Sequence, residues 1–305
     1  MNRKFFKLLI VKLQLSIILL AWGERPNSEA LQQIKSLKKL STLSFPKEIS
    51  AYHPQGLVKV EDHFFLTTVD KDGQRGFIYK FHINDKTIVF DAQKDLTLSD
   101  GQYHPGGIDF DSQSGELVTA VAQYKANSIS TLIRINPNTL EFREISKIND
   151  HIGTLFIANK SSQIIGFNWD AIGSYQLEVN NDPLKNPQAN PKSSDKAYQD
   201  CKSINGGTCA IATGLRKEGF GKNGYLCLIK CDDNGKIEEF FNIFTQKVDK
   251  DGNLAGSFDF SAKPLAQNPI EVETISDESG KSKIIFYFVP FDKDESSLMI
   301  FEGIN

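Results

Sequence analysis

Three of the five histidines in this 305-residue chain open similar phrases. His53 begins "HPQGLVKV", His104 begins "HPGGIDFD" and His151 begins "HIGTLFIA". An imidazole can ligate a metal, move a proton near neutral pH or hydrogen-bond a ligand. Three at equivalent places suggest one shared site. A fold that gathered them could hold a divalent metal with an open position and activate a bound water. It could also use them as the polar walls of a small-molecule pocket, one of them acting as a general base. They could equally bond backbone carbonyls and lock one structural unit to the next. Only His63 and His82 lie elsewhere in the chain.

The spacing shows what must position them. The intervals between the phrases are 51 and 47 residues; another 48 reach Gln199 in "YQDCKSIN", and 69 more reach Asn268 in "NPIEVETI". A period near 50 is the mark of a repeat architecture. Each interval holds short β-rich runs bounded by turn residues, as in 56–60, 63–69, 76–83 and 87–91 of the first, and long helical patterns are scarce. The last repeat supplies 270–275, 283–289 and 297–302 and stops one strand short, while 41–50 lies unused before the first repeat. An N-terminal strand that completes the C-terminal sheet would close a ring and remove exposed edges. The expectation is therefore an all-β, five-bladed β-propeller of four-stranded blades. A six-bladed ring with a degenerate blade within 180–267 is the alternative. Residues 24–40 are expected to be a leader with a helix over 28–38 capped by Ser28, and 41–305 a single domain.

In such a ring the first strand of each blade lines the channel, and the residues before it meet at the mouth. The expected site is His53, His104, His151, Gln199 and Asn268, with Trp169 of "GFNWD" as an aromatic floor and Asp150 and Asp200 within reach of the mouth. Turn chemistry is the competing role for the two aspartates. The glycines at 56, 106, 107 and 153 would permit close backbone approach or positive φ beside the channel. No Gly-x-Ser-x-Gly, His-Glu-x-x-His or P-loop pattern is present. "DKDGQ" at 70–74 and "DKDGN" at 249–253 lack the downstream glutamate of a calcium loop and read as turns.

The N-terminus has the form of a secretory signal: basic "MNRKFFK", apolar "LLIVKLQLSIILLAW" and small residues Ala21 and Gly23 around a cleavage point. The apolar run is too short and interrupted to anchor the chain across a bilayer. Loss of residues 1–23 removes Arg3, Lys4, Lys7 and Lys12 and takes the formal charge from −3 to −7. An acidic surface without a basic block argues against nucleic acid and anionic lipid as partners. A small molecule or glycan, met by a monomeric exported protein, is expected instead. In an oxidising compartment the four cysteines, Cys201, Cys209, Cys227 and Cys231, would form two disulfides rather than a zinc site. Cys227 and Cys231 share a face of one strand about 13 Å apart, so each would pair with Cys201 or Cys209.

"YHPGGIDFD", "DHIGTLF", "GFNWD" and "YQDC" together resemble an exported, uncharacterised group, the domain-of-unknown-function family 6454. The likeness covers roughly 45–302. It implies a propeller-like fold and export and no established reaction.

Overall fold

The computed structural model describes residues 24–158, 163–169, 173–179, 182–183, 189–191, 197–205, 209–218, 221–232, 236–244, 246–255, 262–276 and 280–305. The signal-like segment 1–23 lies outside them. The chain opens with a one-turn helix, α1 (Ser28–Gln32), and then β1 (Ser36–Ser44). Five groups of strands follow. The first is β2 (His53–Val60), β3 (His63–Asp70), β4 (Arg75–Asn84) and β5 (Thr87–Asp95). The second is β6 (Gln102–Asp111), β7 (Glu116–Gln123), β8 (Ser130–Ile135) and β9 (Phe142–Ile148). The third is β10 (Ile152–Ala158), β11 (Gln163–Asn168) and β12 (Gly173–Val179), with two short outer strands, β13 (Asp182–Pro183) and β14 (Ala189–Pro191), both paired to β12. The fourth is β15 (Ala197–Ser203), β16 (Cys209–Glu218), β17 (Gly221–Cys231) and β18 (Ile237–Phe244). Two-residue strands β19 (Lys247–Val248), β20 (Leu254–Ala255) and β21 (Lys263–Pro264) make a small separate sheet. The last group is β22 (Ile270–Ser276), β23 (Ser282–Phe288) and β24 (Ser297–Ile304).

Each large sheet is an antiparallel meander, and β1 completes the last one by pairing with β24. The first strands are neighbours: β2 packs on β6 and β22, β6 on β10, β10 on β15, and β15 on β22. Strand alternation explains why the sheets stack face to face. Phe64 and Phe65 point to opposite faces of β3. Phe64 joins Tyr287, Ile285 and Leu298 of the last sheet in one core, with the Phe64 and Tyr287 rings 4.9 Å apart. Phe65 joins Leu117, Val121 and Ile133 of the second sheet in another. Further cores lie between sheets two and three (Val118, Leu132, Leu155, Ile164), three and four (Phe156, Phe167, Ala210, Cys227), and four and five (Ile211, Leu228, Val272, Phe286). The cores thus run from sheet to sheet and return to the first. The fold is all-β and propeller-like.

Charge binds the inner strands as well. Asp109 on β6 accepts the backbone N–H of Ile157 on β10 (3.0 Å) and of Ser203 on β15 (3.2 Å). Asp200 on β15 accepts from Leu57 on β2 (3.2 Å) and Ile270 on β22 (3.1 Å). Glu271 on β22 accepts from Lys59 on β2 (2.9 Å). All three carboxylates are buried. Two cations meet them: Arg25 Nη1 lies 2.6 Å from Asp109 and its Nη2 3.5 Å from Glu271, and Lys202 Nζ lies 2.5 Å from Asp200. Fully hydrogen-bonded, paired charges are tolerated where isolated ones are not. Backbone closeness has its own requirement: a Cβ at Gly106 would overlap the carbonyl oxygen of Gly153, and one at Gly56 would come 2.5 Å from the N of Ile108. Neither has a positive φ, so close approach alone demands glycine.

Three local expectations change. The closing strand is Ser36–Ser44, not 41–50, and the helix is one turn rather than 28–38. Asn27, not Ser28, is the cap, its Oδ1 accepting from the N of Ala30 at 2.8 Å. Leu31, Ile34 and Leu37 all enter one core. Their threefold spacing imitates a helix, but the last of them is already on a strand whose pairing is bulged at Leu40. Third, the four cysteines are not joined by disulfides. Cys201 and Cys227 both pair with Ala212, one strand on each side of it, which sets them about 10 Å apart, too far for a bond. Cys209 pairs with Lys230, so Cys231 points to the opposite face of the sheet. No helix of the described residues is long and apolar enough to cross a membrane.

Candidate functional site

At the end of the ring where the inner strands begin, the expected residues meet. A cavity of about 680 Å³ is lined by His53, His104, His151, Gln199, Asn268 and Trp169, together with Gln55, Lys71, Tyr124 and Lys263. The inner strands are bulged there. Pairing skips Gln55 in β2, Gly106 and Gly107 in β6, Gly153 in β10 and Gln199 in β15. A bulge frees a residue from the ladder and re-aims its side chain; Gln55 and Gln199 turn into the cavity this way. The register also corrects the repeat alignment. Gln199 matches Gln55 and Gly153, and Ala197 stands where the histidines stand. Residues two apart on a strand share a face, so both line the cavity.

Aromatic rings form one wall. The His104 ring centroid is 4.9 Å from those of His151 and Tyr124 and 5.6 Å from that of Trp169. Trp169 meets His151 edge-on at 4.5 Å and Tyr124 at 5.4 Å. Lys71 Nζ sits 5.1 Å from the Tyr124 ring centre, a cation–π distance. Tyr124 and Lys71 were absent from the sequence-derived set, yet a signal existed. Lys71, Tyr124 and Trp169 each directly follow the second strand of their sheet, so the repeat rule that located the histidines applies equally to second-strand ends.

The three histidines differ in chemistry. His104 is 4% exposed. Burial, then the positive charge available to His151, His53 and Lys71, holds its pKa well below the ordinary imidazole value. It is a neutral ring. His151 donates from Nδ1 to the carbonyl of Lys125 at 2.9 Å, which fixes the tautomer and leaves Nε2 as the basic nitrogen. His53 contacts Asp292 Oδ1 through Nδ1 at 3.0 Å. Asn268 donates to the same oxygen at 3.4 Å. Burial opposes ionisation of Asp292, but the bond and charge of His53, the charge of Lys71 and the Asn268 contact outweigh it and lower its pKa. Tyr52, the residue before His53, has φ 39°, a conformation that costs a side-chain-bearing residue free energy and that concentrates at functional sites. The carbonyl of Tyr52 accepts from the N of Lys293 at 2.7 Å, which ties the Asp292 loop to the strand carrying His53.

Two expected members are elsewhere. Asp150 does not line the cavity. Its carboxylate accepts from the N of His151 at 2.7 Å, from Asn168 Nδ2 at 3.0 Å and from the Tyr175 hydroxyl at 2.6 Å. It anchors the turn that presents His151. Asp200 is fully buried among the inner strands, where burial raises its pKa against the pull of Lys202; a side chain spent on three backbone N–H groups and an ammonium has nothing to offer a ligand. A tetrahedral ion needs its ligand atoms about 3.3 Å apart. Among the described residues, His53, His104 and His151 do not bring three ligating atoms within 4.8 Å of one another; His53 is held by Asp292 instead.

Residues 27–305 match the model of a family of unknown function, DUF6454. The chain belongs to that family. No protein of curated function matches it. Among solved structures, it is similar to a hypothetical protein from Leishmania major, with 10% identity and a TM-score of 0.51 over 88% of this chain and 91% of that one. It is also similar to a DUF4623 family protein from Bacteroides eggerthii (11% identity, TM-score 0.46, 87% and 77% covered). A third is the periplasmic gluconolactonase of Pseudomonas aeruginosa (10% identity, TM-score 0.43, 77% and 68% covered). At such identities the likeness concerns the fold alone.

Proposed function

We propose that this DUF6454 member is an exported, five-bladed β-propeller that binds a small polar ligand at its channel mouth. The observation that carries the reading is the single cavity lined by residues from all five inner-strand regions. Five blades rather than six are favoured because the described part of 246–264 forms only two-residue strands, and the five cores already run around the ring. Export is inferred from the basic start and apolar run of residues 1–23 and the small residues Ala21 and Gly23.

The lining indicates the ligand's chemistry. Amides at 55, 199 and 268 offer donors and acceptors, Trp169 and Tyr124 offer flat apolar faces, and Lys71 and Lys263 offer positive charge. No aspartate or glutamate is among the described lining residues. A small carboxylate-bearing molecule, a sugar acid or an aromatic acid, meets all of these groups. A second reading, acid–base catalysis, is favoured by His104: a ring held neutral beside a cavity keeps its basic form over a wide pH range. Isothermal titration with benzoate, glucuronate and glucose tests the binding reading. Saturable binding of an acid over glucose is expected, weakened tenfold or more by Lys71→Ala and by Trp169→Ala. Heats that do not saturate, or that are identical in wild type and both variants, count against it. Consumption of the bound acid would select the catalytic reading.

A further inference from the structure

The two histidines that the channel mouth does not use are themselves neighbours. His63 opens β3 and His82 lies directly opposite it on β4, so both rings stand on one face of the first sheet. Their centroids are 5.7 Å apart. The next strand supplies a carboxylate by a bulge. Pairing between β4 and β5 steps from Phe81–Phe90 to Lys80–Ala92 and skips Asp91, which re-aims that side chain toward the rings. Asp91 Oδ2 lies 2.9 Å from His82 Nδ1 and 3.7 Å from His63 Nε2. The three ligating atoms all lie within 4.8 Å of one another.

His82 Nδ1 also lies 3.1 Å from Asp91 Oδ1, so without an ion this pair is hydrogen-bonded and a metal would replace that proton; the His63 contact is different. The 3.7 Å contact is too long for a hydrogen bond. A tetrahedral zinc ion with bonds of about 2.0–2.1 Å separates its ligand atoms by about 3.3 Å, a value that the two observed distances bracket. Support for the ligands is present too. His63 Nδ1 lies 2.6 Å from Asp62 Oδ1; a carboxylate that close favours the proton on Nδ1 and leaves Nε2, which lies 3.7 Å from Asp91, free to ligate, as carboxylates beside zinc-bound histidines do. Two carboxylates offset the charge of a dication. The side chains of His63, His82 and Asp91 are 28%, 30% and 25% exposed, so an ion can enter from solvent and water can take the fourth position.

We propose that His63 Nε2, His82 Nδ1 and Asp91 form a Zn²⁺ site on the flank of the first sheet, separate from the channel mouth, with Asp62 as its supporting carboxylate. The bound ion ties β3, β4 and β5 together through their side chains.

The test is isothermal titration of the purified, EDTA-treated protein with ZnCl₂, repeated with Co²⁺ and followed by visible absorption. One Zn²⁺ per chain is expected, with the intense absorption of tetrahedral Co²⁺. His63→Ala, His82→Ala and Asp91→Asn should each weaken zinc at least tenfold, Asp62→Asn about tenfold, and His53→Ala and His104→Ala not at all. The ligand side chains are partly exposed, so these variants should melt as wild type does in EDTA, which separates lost ligation from lost fold. Zinc binding absent below millimolar concentration overturns the proposal. So does binding that survives the His63→Ala/His82→Ala double substitution, or that His53→Ala or His104→Ala abolishes.

Discussion

Acid should weaken this protein through one identifiable ring. His104 is buried against His151, Trp169 and Tyr124, and its pKa is held well below 6.5 by burial and by neighbouring positive charge. In the unfolded chain it titrates near the ordinary imidazole value of about 6.5. Below that value the unfolded state therefore binds a proton that the folded state refuses, and stability falls as pH falls. With the sign written out, the contribution of His104 is complete above about pH 6.5 and is lost as pH drops from there toward the folded-state pKa. The slope approaches about 1.4 kcal/mol per pH unit, so the loss between pH 7.5 and pH 5 is at most about 2 kcal/mol. Urea unfolding of wild type and of His104→Asn at both pH values gives the number directly. The substitution changes stability at pH 7.5 by an amount that depends on packing, but the difference between the two proteins should narrow, or reverse, at pH 5, by up to about 2 kcal/mol. A difference that is the same at both pH values refutes the claim that this ring is held neutral.

Three further outcomes concern the strands of the ring. Asp200→Ala takes the carboxylate from the buried ammonium of Lys202 and the acceptor from three backbone N–H groups, so a loss of about 3–5 kcal/mol is expected in urea unfolding; a loss below about 1 kcal/mol would show that the carboxylate does not hold the strands together. Gly106→Ala must push the backbone of Gly153 away and should cost about 2 kcal/mol or more, whereas Gly153→Ala, whose nearest neighbour is Trp169 Cα at 3.9 Å, should cost less than about 1 kcal/mol; equal melting temperatures for the two variants would contradict the close approach. Removal of β1 leaves β24 as an open edge and should give an aggregating chain by light scattering; a monomeric, cooperatively melting product would argue that the ring needs no closing strand.

Much of this architecture was legible because a repeat writes the same instruction several times. Each sheet is one meander whose alternating residues face two neighbours, so the period, the strand runs and the closing of the last sheet by an N-terminal strand all follow from local pattern. The mouth residues were legible for the same reason: the start of an inner strand points to the axis whatever the blade. What stayed hidden depends on partners far away in sequence. Asp200 looks like a turn or site carboxylate until the N–H groups of Leu57 and Ile270 stand opposite it. The bulges that set Gln199 two residues past the histidine position show only in the pairing. The leader deceived because Leu31, Ile34 and Leu37 keep a helical spacing while the chain passes from helix to strand. The cysteines deceived because an even count says nothing of strand order, and Ala212 stands between two of them.

Proton–proton cross-relaxation among the His104, His151 and Trp169 rings measures the gathering of the repeats most directly. Their centroids are 4.5–5.6 Å apart, so cross-peaks should connect all three residues, and His63 and His82 should connect to each other and to none of them. Rings that show no mutual cross-peaks while the protein is folded would mean that the channel mouth does not exist as a shared site.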